Sequence, residues 1–337
     1  MAPAVSLGLV LLAASVIAGV TVGAVSVSAE TVLGVIANKL WPGLVAVDWS
    51  PGREAIVWDV RLPRTLLAGL VGAGLAVVGA ALQAITRNPL ADPHLLGISS
   101  GGAAGAILAL LHTGLFLGLL TVPLMAFAGA LAATLAVLSV TRFASATSAD
   151  KLVLAGVAVS FVIMAFANVL IFLGDPRATH TVVFWMLGGL GLAQWSHLLY
   201  PAAVLALATP YLYLKAVDLN AMTIGDETAA TLGIAVARFR LTVFVVGAMV
   251  TGVMVAFSGI IGFVGLMIPH IARYLVGGNY ERVVVVSLLL GAIFLIWADI
   301  LARTLMAPED MPIGIVTGLI GGLFFIVLLR SKAGGGR

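Results

Sequence analysis

Long apolar runs alternate with short polar breaks along the whole of this 337-residue chain. Several runs exceed the roughly 20 residues that an α-helix needs to cross the hydrocarbon core of a bilayer. We therefore predict an all-α polytopic membrane protein with a single transmembrane domain over residues 1–337. The ten predicted spans cover residues 5–28, 62–84, 95–118, 121–141, 151–173, 197–214, 239–260, 262–277, 283–305 and 313–330.

The composition supports this class. Hydrophobic residues make up 62% of the chain and charged residues only 9%, whereas a soluble domain carries about 25% charged residues. The apolar runs are continuous, unlike the short alternating segments of a β-barrel. The chain has no cysteine, so disulfides and thiolate metal sites are excluded, and we expect no metal site. The formal net charge of +3 is too small to indicate a nucleic-acid partner, and loop-anchoring lysines and arginines explain it better.

The first apolar run ends in Val27-Ser-Ala29, a pattern that resembles a signal-peptidase site. A signal peptide also begins with basic residues, and no Lys or Arg precedes Lys39. The run is long enough to span a bilayer. We therefore expect the first helix to be retained.

Basic residues predict the orientation of the spans, because cytoplasmic loops of membrane proteins are enriched in Lys and Arg. With the N-terminus in the cytoplasm, eleven of the 17 Lys and Arg residues fall in inner loops or in the C-terminal tail. Ten spans then place both termini in the cytoplasm. The exceptions on the outer side include Arg61, Arg64 and Arg303, and exceptions to this rule invite a functional explanation.

Small residues recur at intervals of four in several predicted spans. Examples are Gly72, Ala76 and Ala80, and the pair Gly101 and Gly105. This spacing lets helix backbones approach closely in lipid, where packing drives helix association. We expect these residues to lie at helix–helix contacts.

The longest polar stretch predicted on the cytoplasmic side, residues 218–238, lies between the sixth and seventh spans. Asp226 and Glu227 suit the first turn of a helix, where a carboxylate meets the positive end of the helix dipole. Gly233 suits the C-terminal stop of that helix. The pattern predicts a short amphipathic helix, either a plain surface connector or a docking element. Its length and its alanine and glycine spacing favour docking to a partner.

Six segments along the chain carry recognisable motifs. They are RLPR at 61–64, RNPLADP at 87–93, IGDETAATLG at 224–233, GFVGLMIPHIAR at 262–273, ADILAR at 298–303 and MPIGIVTGLIGG at 311–322. These segments resemble motifs of the permease subunits of the iron-chelate and vitamin B12 family of ABC importers. One such segment would be a weak signal, whereas six in family order over nearly the whole chain are specific.

The resemblance implies the type II ABC importer permease fold in the inner membrane of a bacterium. It implies a homodimer, two cytoplasmic ATPase subunits and a periplasmic substrate-binding protein. Asp226, Glu227, Ala230 and Gly233 would belong to a coupling helix seated in a groove of the ATPase. ATP and Mg²⁺ would bind to the ATPase, and this chain would hold no cofactor. The sequence agrees, because a Walker A lysine follows a glycine, and none of the chain's four lysines does so: Lys39, Lys151, Lys215 and Lys332.

The resemblance gives the outer arginines a role. Arg61, Arg64 and Arg303 would receive acidic side chains of the binding protein, since a guanidinium pairs well with a carboxylate and stays charged. The alternative is that they anchor span ends at the membrane interface. Asp299 lies inside the ninth span, one turn before Arg303. An i,i+4 ion pair with Arg303 explains why an acid is tolerated there, and a role in proton coupling is the alternative.

The resemblance also locates a gate and a pathway. The cytoplasmic gate would lie in the loop after the second span and the loop before the fifth span. The pathway would follow the two-fold axis, lined by the fifth and tenth spans. Ser160, Met164 and Asn168 share one helical face of the fifth span, and contacts within one subunit are their alternative role. The gate residues are Asn88, Leu90, Ser145 and Thr147, and Met311 opens the pathway segment of the tenth span.

The outer segment after the fifth span combines a cation, an imidazole and aromatic rings near the expected mouth of the pathway. Arg177 suits a ligand carboxylate, and His180 suits iron. The alternative is an ordinary polar turn that leads into an amphipathic helix. The pair Gly188-Gly189 departs from the Gly-Ser of many siderophore permeases, which favours haem or a corrinoid.

Three classes of function remain to be compared. The first is the permease of an ATP-driven importer for a bulky iron chelate, with haem ahead of ferric siderophores and cobalamin. The second is an ion-coupled secondary transporter, which usually carries acids or broken helices at the membrane midplane; Asp299 is the only acid well inside a predicted span. The third is a membrane enzyme, for which the spans supply no nucleophile–base arrangement.

Overall fold

A computed structural model of the chain describes residues 2–23, 25–143 and 149–334. These residues form helices joined by short loops, without a β-strand among them. The helices are α1 Ala2–Thr21, α2 Ala29–Leu40, α3 Pro51–Ala55, α4 Leu62–Thr86, α5 Ile98–Leu108, α6 Thr121–Phe143, α7 Ala149–Leu173, α8 Pro176–Met186, α9 Trp195–Leu214, α10 Ala216–Ile224, α11 Asp226–Thr231, α12 Val236–Ser258, α13 Val264–Val276, α14 Tyr280–Thr304 and α15 Ile313–Gly334. Wider π-helical turns join α3 to α4 and extend α5 to Thr113.

Each of the ten predicted spans coincides with a helix. Eight helices in the described part of the chain are long and apolar enough to cross a membrane. The third and eighth predicted spans correspond to shorter apolar helices, Ile98–Thr113 and Val264–Val276. The all-α polytopic fold is therefore confirmed, with two spans shorter than the sequence pattern suggested.

The first span ends earlier than predicted. Helix α1 stops at Thr21, and the hydroxyl of Ser28 instead caps a new helix, α2, by accepting a hydrogen bond from the Thr31 N–H (3.2 Å). A serine at this position is a strong start signal for a helix. The apolar run 5–28 therefore contains one span and the connection to a short helix outside it.

Helix α4 is the centre of the molecule, and most of its side chains are buried. Glycines make its contacts with neighbouring helices possible. A Cβ on Gly72 would stand 2.1 Å from the carbonyl oxygen of Gly291 on α14, and one on Gly79 would stand 2.0 Å from that of Gly265 on α13. Ala76 lies on the same contact, since its Cβ would meet a Cβ on Gly291. The predicted small-residue contact is confirmed here.

Glycines also allow close packing of α5 against α6. A Cβ on Gly101 would lie 2.3 Å from the Gly129 carbonyl oxygen, and one on Gly105 would lie 2.0 Å from the Met125 carbonyl oxygen. No larger side chain fits at either position without moving the backbone. The two helices therefore pack at closest approach, as the spacing predicted.

Helix α4 also defines two ends of the molecule. The RLPR end holds residues 61–64, and Arg64 pairs there with Asp299 near the C-terminus of α14. The other end, which we name the coupling end after the segment predicted to couple, holds α11 and the C-terminus of α4. Arg240 near the start of α12 contacts the Ile85 carbonyl there. Helices α12 and α14 thus run antiparallel to α4, and the residues predicted for docking and for coupling lie at opposite ends of it.

Candidate functional site

A buried ion cluster occupies the RLPR end. Arg64 Nε donates to Asp299 Oδ1 (2.9 Å), and Arg64 Nη1 donates to Asp310 in the loop before α15. Arg303 Nε lies 3.3 Å from Asp299 Oδ2, and Arg303 Nη2 donates to the Gly19 carbonyl. Only 1% of the Asp299 side chain is exposed. The predicted i,i+4 pair of Asp299 and Arg303 is confirmed, and Arg64 completes it from another helix.

Arg61 is buried beside this cluster. Its guanidinium donates to the carbonyl oxygens of Val20 (3.0 Å), Thr21 (3.0 Å) and Val25. The last carbonyls of a helix have no partner within that helix, and Arg61 supplies one for the end of α1. Its side chain therefore fixes the connection between α1 and α2.

The three arginines that were predicted on the outer side are thus engaged inside the subunit. Arg61 and Arg303 are buried, and Arg64 is nearly so. The exposed charged group of the cluster is Asp310, whose side chain is 49% exposed. Contact of these arginines with a binding protein stays a prediction, and the role that the geometry displays is to hold together the ends of α1, α4 and α14.

The predicted short helix is present at the coupling end as α11. It begins at Asp226, after Gly225 with φ of +151°. It ends before Gly233, whose φ of +85° and N–H bond to the Ala230 carbonyl (2.9 Å) form a left-handed stop. Ala229 is buried against the molecule. Glu227, Ala230 and Gly233 are exposed, so the far side of α11 is available to a partner.

Two arginines hold α11 in place. Arg240 Nη2 donates to Asp226 Oδ1 (2.7 Å), while its Nε donates to the Ile85 carbonyl in the last turn of α4 (3.0 Å). Arg87 Nη2 lies 3.8 Å from the same Asp226 oxygen. Sequence reasoning assigned no role to either arginine. Arg240 could have been noticed in the sequence, because it lies just inside the predicted span 239–260 and a charge there needs a buried partner.

The start of the coupling segment is tied to α14. Asn220 Oδ1 accepts a hydrogen bond from the Tyr280 N–H (2.9 Å), and its amide group also contacts Asn279. Lys215 pairs with Asp218 at 2.9 Å. Segment 218–238 is therefore anchored on both sides of α11.

The predicted gate loop follows α4 directly. Asn88 Oδ1 accepts from the Leu90 N–H (2.9 Å), and the Ala91 N–H donates to the Asn88 carbonyl (3.0 Å). The Leu90 side chain is 55% exposed.

Asp92 follows the predicted gate residues of this loop. Burial raises the pKa of the Asp92 carboxyl, which accepts a hydrogen bond from the His94 N–H (2.7 Å). The other two predicted gate residues, Ser145 and Thr147, lie outside the described residues.

The predicted pathway residues of α7 have different surroundings. Ser160 Oγ donates to the Gly156 carbonyl of its own helix (2.8 Å). Met164 packs in a small apolar cluster with Ala167 and Val182, which is a contact within the subunit. Asn168 is exposed. Only Asn168 therefore offers its side chain freely from the predicted face of α7.

Helix α8 carries the two predicted ligand residues. Arg177 and His180 are both exposed. The Arg177 N–H donates to Asp175 Oδ1 (2.9 Å) at the start of the helix, and the His180 ring lies 4.6 Å from the Phe184 ring. Met311 is half-buried, and its N–H donates to the Ala302 carbonyl (2.9 Å).

The turn after α8 explains one of its two glycines. Gly188 has φ of +79°, and a Cβ there would lie 2.6 Å from the Ile260 carbonyl oxygen. Its carbonyl accepts from the Ile313 N–H (3.1 Å), which joins this turn to the start of α15. A Cβ on Gly189 would meet nothing within 4 Å. Glycine is therefore required at position 188, whereas position 189 has room for a serine.

Comparison with known proteins identifies the family of this chain. Residues 11–331 match the model of the FecCD transport family. The chain belongs to the FecCD transport family. This FecCD protein is 38% identical to the hemin transport system permease protein HmuU of Yersinia pestis, over 84% of this chain and 87% of that protein. It is 37% identical to the cobalamin import system permease protein BtuC of Halobacterium salinarum, over 87% of this chain and 80% of that protein.

A solved structure shares its fold. An inward-facing conformation of a metal-chelate type ABC transporter is 30% identical in sequence, with a TM-score of 0.83 over 98% of this chain and 100% of the other. The FecCD protein is thus an ABC importer permease of the iron-chelate, haem and vitamin B12 type, with the type II permease fold, and it spans the membrane several times. An ion-coupled secondary transporter is no longer an alternative.

Proposed function

We propose that this FecCD protein is the membrane subunit of an ATP-driven importer that moves a bulky iron chelate, foremost haem, from periplasm to cytoplasm. The observation that carries the proposal is α11, a short helix with an exposed face and a base fixed to α4 by Arg240. A rigidly held surface helix is suited to receive force from a separate ATPase. The alternatives within the family are a ferric-siderophore or a cobalamin permease.

The position of the termini supports the proposed orientation. Helix α1 ends at Thr21, beside Arg61 at the RLPR end, so Ala2 lies towards the coupling end. Helix α15 starts just after Asp310, also at the RLPR end, and runs in the same direction as α4. If α11 meets an ATPase, both termini are cytoplasmic in a bacterial inner membrane, and the RLPR end faces the periplasm and its binding protein.

Two helices support the proposed homodimer. Only 17% of the apolar stretch of α7 and 22% of that of α15 is buried within the single subunit, against 83% for α4, and α1 is as little buried as α7. Exposed apolar side chains in a membrane protein face either lipid or another chain. We propose that α7 and α15 meet a second copy along part of their length, with the pathway between the copies.

Haem is favoured by the chemistry of α8. Haem offers two propionates and an iron, and α8 exposes one guanidinium and one imidazole, Arg177 and His180. The imidazole is a common ligand of iron, and the guanidinium pairs with carboxylates. Position 189 has room for a serine, so packing does not explain why this chain has glycine there. The departure from the Gly-Ser of many siderophore permeases is consistent with a cargo other than a siderophore.

Substitution on α11 tests the coupling role. Ala230→Trp places a bulky ring on the exposed face, whereas Arg282→Trp places it at an exposed position of α14, outside segment 218–238. We expect the first variant to lose co-purification with the ATPase while it remains folded, and the second to retain it. Equal retention by both variants would contradict the proposed coupling role of α11.

Substitution on α8 tests the cargo. We expect His180→Ala to lower haem uptake by about tenfold, which corresponds to about 1.4 kcal/mol of lost binding. Thr181→Ala, at the next exposed position of the same helix, serves as the control. Efficient uptake of cobalamin or a ferric siderophore, with haem excluded, would replace haem by that alternative.

A further inference from the structure

One carboxylate at the coupling end is shared by two arginines that come from different elements. Asp226 of α11 accepts a hydrogen bond from Arg240 of α12 (2.7 Å) and lies 3.8 Å from Arg87, the residue between α4 and Asn88. The proposed coupling helix and the proposed gate loop therefore face each other across a single ion pair.

The two contacts with Asp226 differ in character. The Arg240 side chain is only 4% exposed, and it also bonds to the Ile85 carbonyl, so it is fixed in place. The Arg87 side chain is 45% exposed, and its guanidinium reaches over Gly225 at the start of α11. A solvated contact of this kind can lengthen or shorten without exposing a buried charge, whereas the Arg240 contact cannot.

The backbone at Arg87 connects this contact to the gate loop. Arg87 has φ of +51°, and its N–H bonds to the Ala84 carbonyl (3.2 Å) to end α4. Non-glycine residues adopt this left-handed conformation uncommonly. The next turn is closed by two hydrogen bonds to Asn88, from Leu90 and Ala91. A shift of Arg87 is therefore passed to Leu90 through a short, internally bonded turn.

We propose that Arg87 is a positioning residue, which transmits movement of α11 to the gate loop through its ion pair with Asp226. The inference rests on the proposed function, since it takes α11 as the contact with the ATPase and Asn88–Leu90 as part of the gate. Arg240 anchors Asp226 at the end of α4. When the ATPase tilts α11 about this anchor, the solvated contact with Arg87 changes and the gate loop follows Arg87.

The first test uses the complete transporter, with ATPase and binding protein, in proteoliposomes supplied with haem. The readout is the number of haem molecules taken up per ATP hydrolysed, because loss of folded protein lowers both quantities together. Arg87→Ala is expected to lower this ratio about two- to fivefold, the range of an exposed ion pair. Arg87→Lys is expected to recover most of the loss. Arg282→Ala, which removes an exposed arginine from the start of α14 at the same end, is the control and leaves the ratio unchanged.

A double-mutant cycle shows whether Arg87 acts through Asp226. If it does, Arg87→Ala combined with Asp226→Asn lowers the ratio no further than Asp226→Asn alone. Losses that simply multiply would overturn the proposal. A ratio for Arg87→Ala equal to that of the unmodified transporter would overturn it too.

The second test needs no substrate, because it follows the gate loop directly. The chain has no cysteine, so Leu90→Cys gives the permease a single thiol whose rate of maleimide labelling can be measured with and without ATP. We expect ATP to change that rate, and Arg87→Ala to abolish the change. A persistent ATP effect in Arg87→Ala refutes the role of Arg87 alone. If ATP has no effect even when Arg87 is present, the proposed coupling function fails, and this inference falls with it.

Discussion

Replacement of Asp299 by Asn is expected to lower the free energy of unfolding strongly. It lies between Arg64 and Arg303, and all three side chains are at most 11% exposed. Asp299→Asn keeps the shape of the side chain but removes its charge, which leaves two cations close together with Asp310 as their remaining ion partner. Removing one partner of a buried ion pair costs about 3–5 kcal/mol.

The magnitude can be checked against a control in the same cluster. Asp310 pairs with Arg64 too, but it is 49% exposed, and an exposed pair contributes about 0–1 kcal/mol. Asp310→Asn should therefore cost at least about 2 kcal/mol less than Asp299→Asn, roughly a thirtyfold difference in the folding equilibrium.

Equilibrium unfolding in mixed micelles, followed through the fluorescence of the chain's six tryptophans, measures both variants. The predicted order is unmodified protein, then Asp310→Asn slightly below it, then Asp299→Asn far below both. Equal losses for the two variants, or a loss below about 1 kcal/mol for Asp299→Asn, would refute the reasoning that burial makes this ion pair indispensable.

Two further predictions concern glycines. Gly79→Ala should sharply lower the yield of folded protein in detergent, since its Cβ would stand 2.0 Å from the Gly265 carbonyl oxygen, whereas Gly69→Ala, whose nearest neighbour is the Ile296 side chain at 3.5 Å, should leave the yield unchanged. Equal yields would show that α4 and α13 are not in such close contact. Gly189→Ser should leave the melting temperature unchanged because its Cβ meets nothing within 4 Å, and a clear drop measured by thermal unfolding would contradict the open space there.

The number and order of the spans could be predicted from the sequence, because a bilayer imposes a minimum length of apolar helix. The eighth span is already short in the sequence, at residues 262–277, but the exact start of its helix could not be predicted. Helix α13 begins only at Val264, after Phe263 adopts a left-handed backbone with φ of +70°. Gly321 accommodates the Phe263 side chain there, since a Cβ on it would stand 2.4 Å from the Phe263 Cβ. This contact joins residues far apart in sequence, so no local pattern reveals it.

Around the candidate site, local structure could be predicted from the sequence, whereas contacts between distant segments could not. The start and stop of α11 followed from Asp226 and Gly233, since helix caps are local features. The i,i+4 pair at Asp299 followed from helical spacing. The partner of Asp299 on another helix, Arg64, is 235 residues away, and such a pairing needs the fold. The resemblance gave Arg61 a partner outside the subunit. Its contacts with the carbonyls at the end of α1 could not be predicted, because the first span was predicted to continue to residue 28.

Energy coupling is the central claim of this account, and uptake into sealed proteoliposomes tests it most directly. The permease is reconstituted with its ATPase and binding protein, and haem accumulation is followed with ATP, without ATP, and with imposed proton or sodium gradients. The account predicts accumulation that requires both ATP and the binding protein and persists when the gradients are dissipated. Accumulation driven by a gradient in the absence of ATP would contradict it.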